Sequence, residues 1–356
     1  ILRADAIQEH TVYDGTDYAA QQGNIQDVAL QLNDGTDIYG EQILEEYKEE
    51  LQLFRNMYEL SRILRNRRME RGSIDFDFPE AKIQLTTDGE PIEIGPYDRN
   101  PAHKIIEDFM LMANETIAED YFWQDIPFEY RVHGTPDEEK IDKLQNAIKG
   151  FGYYFKCSND TIHPKEFQKL LNKIAGTPEE GFISRMTLRS MQQARYPTEC
   201  SGHFGLATKY YCHFTSPIRR YPDLQIHRII KENLRYGHSP KRIAHYESIL
   251  PGVAKRCSDR ERLADEAERE VDKMKKVEYM QAHIGEMYEG IISGVTSWGI
   301  YVELDNTVEG MIRLADMDDD QYEYQEEKYR VIGHYSGKEY SMGQTVKIRV
   351  IGADRL

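Results

Sequence analysis

Residues 213 to 228 read His-Phe-Thr-Ser-Pro-Ile-Arg-Arg-Tyr-Pro-Asp-Leu-Gln-Ile-His-Arg, which sets three arginines beside hydroxyls, aromatic rings and two prolines. Pro217 and Pro222 fix φ and remove backbone donors, so the loop between them is stiff and presents Arg219 and Arg220 from a preset backbone. A planar guanidinium held that way suits bidentate contact with a phosphodiester. Asp223 then opens an amphipathic helix that turns Leu224, Ile226, His227, Ile230 and Leu234 inward until Gly237 stops it, with Arg228 one turn beyond Leu224. Taken alone, such a loop more often salt-bridges a neighbouring helix.

The rest of the chain sets bounds on that choice. Its 356 residues exceed one ordinary core, and roughly 100 to 200 residues per domain give two or three units. A hydrophobic content of 40% suffices to fold them. No run of about 18 apolar residues could span a membrane and no signal-peptide pattern opens the chain, so a soluble, cytoplasmic protein is expected. Cys157, Cys200, Cys212 and Cys257 show no Cys-x-x-Cys spacing, so buried free thiols are expected rather than disulfides or a zinc site.

The net charge of −17 opposes a polyanionic partner at long range. Local distribution offsets it: Arg62, Arg65, Arg67, Arg68 and Arg71 form one island and Arg219, Arg220 and Arg228 a second, while acidity gathers at Glu45 to Glu50 and Asp316 to Asp320. An acidic exterior around a basic channel is the reading adopted here. Ile1 in place of an initiator methionine, and a strand pattern still unfinished at Leu356, suggest a piece of a longer protein.

Along the chain, residues 1 to 40 are polar and weakly periodic and read as loops with one short helix. Leu44, Tyr47, Leu51, Phe54, Met57, Leu60 and Leu64 recur at helical spacing and predict a helix over Gln42 to Arg67. Alternation of Ile74, Phe76 and Phe78 with Asp75 and Asp77 predicts a strand, and Ile83, Leu85, Asp88-Gly89, Ile92 and Ile94 a hairpin. Asn100 and Pro101 start a helix to about Tyr121. Helices over Asp137 to Lys149, Pro164 to Ile174 and Glu180 to Ala194 follow, the first and third started by Thr135-Pro136 and Thr177-Pro178. Ser258 with Glu261 reads as a capping box opening a helix to about His283, with Ala264, Ala267, Val271 and Met274 as a buried seam. Beyond Gly285 the period becomes alternating, and Met287 to Val295, Gly299 to Leu304, Gly310 to Leu314 and Thr345 to Ile351 read as strands of a small OB-type β-barrel. The fold class is therefore α+β, a mainly α-helical part with a short hairpin followed by that barrel.

The loop and its helix resemble the signature of the ribonuclease R and ribonuclease II family, exoribonucleases that degrade RNA from the 3′ end. Further matches fall in family order: Arg71 to Asp77, Ile106 to Asn114, Arg131-Val132-His133, Gly202 to Leu206 and Ala264 to Arg269. The resemblance covers about residues 41 to 356. It implies that residues 1–283 are the C-terminal part of the catalytic domain and residues 284–356 an OB-fold RNA-binding domain lacking its last strand. It also implies a channel closing on single-stranded RNA, with magnesium held by an aspartate cluster in the intact enzyme. Arg219 matches the family's catalytic arginine, able to neutralise charge building on the phosphate. Phe76 matches a ring that stacks on terminal bases, although its spacing alone reads as strand core. Glu107 and Glu268 match carboxylates near the RNA end, and either can be a plain surface residue. Tyr211 and His213 are ribose or phosphate contacts or else satisfied core residues, the latter fitting His213 better. Arg220 and Arg228 complete the loop's RNA-binding set.

Gly290 to Leu304 resembles the OB-fold RNA-binding domain first known from a ribosomal protein. Trp298 and Tyr301 stand where that family stacks bases unless both pack inside the barrel, and Lys347 and Arg349 can guide the backbone. Arg313 stands where many members have histidine. The family's Asp-x5-Asp-x-Asp-Asp pattern is not found, and Asp75-x-Asp77 and Asp318 to Asp320 are weak substitutes, so no metal ligand is assigned. The expectation is a piece of a processive, magnesium-dependent exoribonuclease that releases nucleoside 5′-monophosphates, monomeric when intact. A non-catalytic single-stranded RNA-binding module is the second reading, and a helical scaffold without RNA the third.

Overall fold

A computed structural model describes residues 47–75, 80–97, 99–154, 162–177, 179–237, 239–326 and 329–354. Phe76 and Cys157 lie outside them. Helix α1 (Leu51–Arg71) ends at Gly72, whose φ of 105° lies in the left-handed region a C-cap favours. The hairpin β1 (Ala81–Leu85) and β2 (Pro91–Pro96) pairs Ile83 with Ile94. In α2 (Pro101–Trp123) the Asn100 side chain accepts from the amides of Ala102 and His103 at 3.0 and 3.2 Å, the cap its sequence predicts. Helices α3 (Glu138–Lys149), α4 (Pro164–Ile174) and α5 (Glu180–Ser190) form a small subdomain around the buried Leu144, Ile148, Phe167, Ile174 and Ile183.

Between α5 and α6 (Tyr221–Tyr236) the chain is extended but irregular. It is held to residues 126–133 by bonds such as Tyr130 N to Pro197 O and Arg131 N to Tyr211 O, both 2.9 Å. These segments, α2, α6 and the first half of α7 (Pro240–Gln281) share a second core of Phe128, Tyr130, Cys212, Ile226, Ile229 and Leu250. Ile226 and Ile229 are fully buried, worth about 1.5–3 kcal/mol each. Leu234, expected inward, is 78% exposed, because the core contacts of α6 end before its last turn.

Two further expectations are corrected. The capping box is none: α7 starts at Ser239 and Pro240, runs 42 residues through Pro251, and keeps Ser258 mid-helix, its hydroxyl bonded to Ala254 O at 3.1 Å. The seam of Ala264, Ala267, Val271 and Met274 is exposed among the described residues. Beyond Gly285 the strands form two sheets among the described residues. Strands β3 (Met287–Val295), β4 (Gly299–Leu304), β5 (Glu309–Arg313) and β9 (Thr345–Arg349) form one, in the order β5-β4-β3-β9, and β6 (Tyr322–Gln325), β7 (Arg330–Gly333) and β8 (Glu339–Ser341) form another. Val331 and Met342 join Ile292, Val295, Ile300 and Val302 in the core between them. The α+β class holds, with seven α-helices among the described residues.

The end of α7 ties the parts together. Lys275 Nζ donates to Gly89 O of the hairpin at 2.5 Å and Lys276 Nζ to Thr307 O at 2.8 Å, while Met280 packs with Ile94, Leu304 and Val308. No helix among the described residues is long and apolar enough to cross a membrane. Cys200, Cys212 and Cys257 are free thiols.

Candidate nucleic-acid interface

Residues Ser216 to Arg220 form one tight turn, closed by Arg220 N on Ser216 O at 3.0 Å. Asp223 secures it from beneath. With its carboxylate fully buried, it accepts from Ser216 N at 2.8 Å, Arg220 Nε at 3.0 Å and Arg220 Nη2 at 2.8 Å. Arg220 is thus a fastening of the loop, its fork already engaged by a carboxylate. Arg219 is exposed and makes no hydrogen bond or ion pair among the described residues. Arg228 lies over the Tyr221 ring at 5.6 Å and donates to its hydroxyl at 3.2 Å.

Asn114 of α2 holds the approach to the turn, accepting Phe214 N at 2.9 Å and donating to the Tyr211 hydroxyl at 3.3 Å. Tyr211 is 5% exposed, and burial pushes its phenol up to about 12. Its ring stands beneath the loop as a pillar. Phe214 stacks on His227 at 4.4 Å and 7°, and His227 Nε2 lies 2.9 Å from Phe214 O. Neither Asn114 nor Asp223 was singled out as a site residue, although Asn114 closes one of the family-ordered matches.

Glu107 faces Arg99, which bridges it to Asp75 with Nε to Glu107 Oε2 and Nη1 to Asp75 Oδ1 both at 3.2 Å. Glu268 is exposed on α7 without a contact among the described residues. The first arginine island does not line an open basic channel. Arg68 and Arg65 reach the buried Asp108 at 2.7 and 3.2 Å, Arg71 pairs with Glu115 at 2.7 Å, and Arg62 lies over Tyr58. Three of those charges are spent on joining α1 to α2.

On the four-stranded sheet, Trp298 is 61% exposed and its Nε1 donates to the Tyr301 hydroxyl at 3.2 Å. The packed-inside alternative therefore fails for Trp298. Tyr301 is half-buried and pairs with Met311, while Lys347 and Arg349 on β9 are exposed and pair with Glu289 and Met287. The exposed Met287, Ile291, Met311 and Trp298 leave an apolar platform edged by cations at β9. Arg313 is paired with Asp316 at 2.7 Å.

Residues 7–236 match the model of the RNB domain and residues 281–355 that of the S1 RNA binding domain. The chain belongs to the ribonuclease R family. It is 45% identical over 317 residues to ribonuclease R 1 of Lactococcus lactis subsp. lactis (strain IL1403), covering 89% of this chain and 39% of that protein. It is 36% identical over 323 residues to ribonuclease R of Escherichia coli (strain K12), covering 88% and 40%. The structure of Mycoplasma genitalium RNase R in complex with ribose methylated single-stranded RNA superimposes with a TM-score of 0.80 at 26% identity, covering 92% of this chain and 51% of that one. The chain thus spans about two fifths of the curated relatives it matches. Its family is one of exoribonucleases, and it carries RNB and S1 domains.

A divalent ion, expected for ribonuclease R, finds no fitting donors among the described residues. Among the described residues no group of three or more histidine, cysteine, aspartate or glutamate side chains could hold a metal. Asp75 is engaged by Arg99. Asp319 is engaged by Lys338 at 3.2 Å, and Asp320 by Ser336 N and Tyr335 N at 2.7 and 3.1 Å, with the Ser336 hydroxyl and these amides holding its carboxyl well below the usual range. Hard-oxygen coordination needs carboxylates that are not already spoken for.

Proposed function

We propose that the whole protein is a 3′-to-5′ exoribonuclease that shortens single-stranded RNA processively to nucleoside 5′-monophosphates. This chain supplies the grip on the strand and the arginine that meets the phosphate. The observation that carries the reading is Arg219, an unengaged guanidinium on a turn locked by Asp223, beside an arginine that the same carboxylate consumes. Such a preset cation can neutralise charge developing on a phosphoryl oxygen without reorganising. The Trp298 and Tyr301 rings offer faces on which bases of any sequence can stack. Magnesium is expected in the intact enzyme, and no step through it is assigned to the residues described here.

For the isolated chain the second reading is retention without cutting, favoured by the engagement of Asp75, Asp319 and Asp320. A gel assay with 5′-labelled single-stranded RNA and magnesium, beside binding titrations at two salt concentrations, tests both. Salt-sensitive binding without shortening is the expected result, weakened in Arg219→Ala. Stepwise shortening that the mutation abolishes would locate the metal ligands within this chain. Binding that ignores both salt and Arg219→Ala refutes the grip.

A further inference from the structure

The Tyr196 hydroxyl has one proton and two neighbours that could take it. Its oxygen lies 3.1 Å from Glu261 Oε1 and 2.8 Å from His213 Nδ1. The Glu261 carboxylate accepts, and Arg131 donates to it from Nη1 to Oε2 at 2.5 Å while lying 4.5 Å over the Tyr196 ring. Two oxygens 3.1 Å apart with no proton between them would repel, so the hydroxyl proton points to Glu261. The Tyr196 oxygen then accepts from His213, which puts the imidazole proton on Nδ1.

His213 has one ring proton to give. Burial pushes its pKa down to about 2, and the charges of Arg220, Arg131 and Arg219 act in the same direction, so the ring is neutral and its Nε2 keeps a bare lone pair. Among the described residues that nitrogen has no hydrogen-bond partner. It belongs to the irregular segment that leads into the Arg219 turn, and Tyr211 packs edge-on against the ring at 5.7 Å and 80°. A lone pair is repelled by phosphate oxygens and attracted by hydroxyl donors. In an RNA backbone the only hydroxyl donors are on ribose.

We propose that His213 Nε2 accepts a hydrogen bond from a ribose hydroxyl of the strand whose phosphate meets Arg219, with Glu261 and Tyr196 as positioning residues that lock the ring in its acceptor tautomer. The inference rests on the RNA-grip reading and adds to it a device for distinguishing ribose from deoxyribose. Glu261, read from sequence as half of a capping box, gains a role here that its spacing concealed. The same carboxylate–hydroxyl–imidazole chain explains why Arg131 is spent inside the fold rather than on RNA.

Two-bond proton–nitrogen correlation spectra locate the imidazole proton directly and need no RNA. The expected result is Nδ1–H in the parent protein and a shift towards Nε2–H in Tyr196→Phe. Fluorescence anisotropy with short uridine strands carrying one 2′-deoxy or one 2′-fluoro residue at successive positions reads the contact itself. At one position both substitutions should weaken binding ~10-fold, as expected for one lost hydrogen bond. His213→Ala should abolish that difference. Tyr196→Phe should recover the 2′-fluoro strand but not the deoxy strand, because the freed ring can donate to fluorine. A proton on Nε2 in the parent protein, or a positional penalty that survives His213→Ala, overturns the proposal. If no strand binds any version, the hydroxyl contact falls together with the grip, while the spectra still report whether the tautomer is locked.

Discussion

Asp223 offers the sharpest test of how the signature loop is held. Its carboxylate is fully buried and takes one backbone and two guanidinium donors, all within 3.0 Å. Asp223→Ala leaves the Arg220 charge, 20% exposed, and the Ser216 amide without partners, which costs about 3 kcal/mol, the lower end for a broken buried pair. Arg220→Met leaves the carboxylate at 0% exposure without its counter-charge, held by the Ser216 amide alone, and falls nearer the upper end, about 4–5 kcal/mol. The double variant carries no orphaned charge, only one unsatisfied amide, and costs about 2 kcal/mol. The cycle therefore closes with a coupling of about 5–6 kcal/mol, well above the scatter expected of independent sites. Urea unfolding followed by circular dichroism and tryptophan fluorescence measures all four proteins. A double variant that costs the sum of the singles, or singles that each cost under about 1 kcal/mol, refutes the account of Asp223 as the loop's anchor.

Other consequences are more local. Trp298→Ala removes an exposed stacking face and should weaken single-strand binding by about 1–3 kcal/mol in anisotropy titrations while leaving the unfolding midpoint unchanged. Gly290→Ala places a methyl group 2.7 Å from Val302 Cγ1 and 2.8 Å from Glu303 O, so it should destabilise the four-stranded sheet by about 1–3 kcal/mol, read by thermal unfolding. Glu129 is 1% exposed with neither oxygen hydrogen-bonded, and burial pushes its carboxyl up to about 7, reinforced by Asp223 and opposed by the neighbouring Cys257 thiol. A raised folded-state value means the protonated form is favoured on folding, so its contribution is complete below about pH 4 and is lost as pH rises through about 7. Glu129→Gln should flatten that fall and raise stability at pH 8 by up to about 3 kcal/mol in urea titrations.

Much of the fold was legible because local chemistry and tertiary packing agree there. Asn100 with Pro101, the turn at Asp88-Gly89 and the glycine stop at Gly237 each act within a few residues, and the elements they bound stand where their sequence puts them. The misreadings arise where a local signal has a distant use. Ser258 and Glu261 have capping-box spacing, but Ser258 bonds Tyr196 N at 2.9 Å and Glu261 takes Arg131, partners 62 and 130 residues away. The small-residue seam of α7 looks like packing because alanine spacing is silent about whether a neighbour is present. Strands β6 to β8 have only three or four residues each, too short for alternation to register against a run rich in tyrosine and acid. The site divides in the same way. The motif at Arg219 is contiguous and could be read, whereas its supports, Asn114 on α2 and Tyr196 before the loop, are joined to it only by the fold.

The fate of the arginines bears on how, on the proposed function, a protein of net charge −17 would address a polyanion. Of the two islands that suggested a basic channel, Arg65, Arg68, Arg71 and Arg220 are paired to carboxylates within the chain, and Arg313 and Arg131 elsewhere are paired as well. Among the described residues, the exposed island arginines that no carboxylate pairs are Arg62 and Arg228, each over a tyrosine ring, Arg67, and Arg219 on its locked turn, with Lys347 and Arg349 exposed at the edge of the sheet. Long-range attraction cannot then be the main source of affinity, since the whole-body field opposes it. Affinity must come from contacts that act only at short range, the stacking faces of Trp298 and Tyr301 and donors or acceptors such as His213 Nε2. Contacts of that kind discriminate by the chemistry of the strand rather than by its charge. Arg219 differs from the other exposed arginines in standing on a turn locked by Asp223, and on the proposed function it is therefore placed to act on one phosphate, the one presented once the bases and sugars have been read.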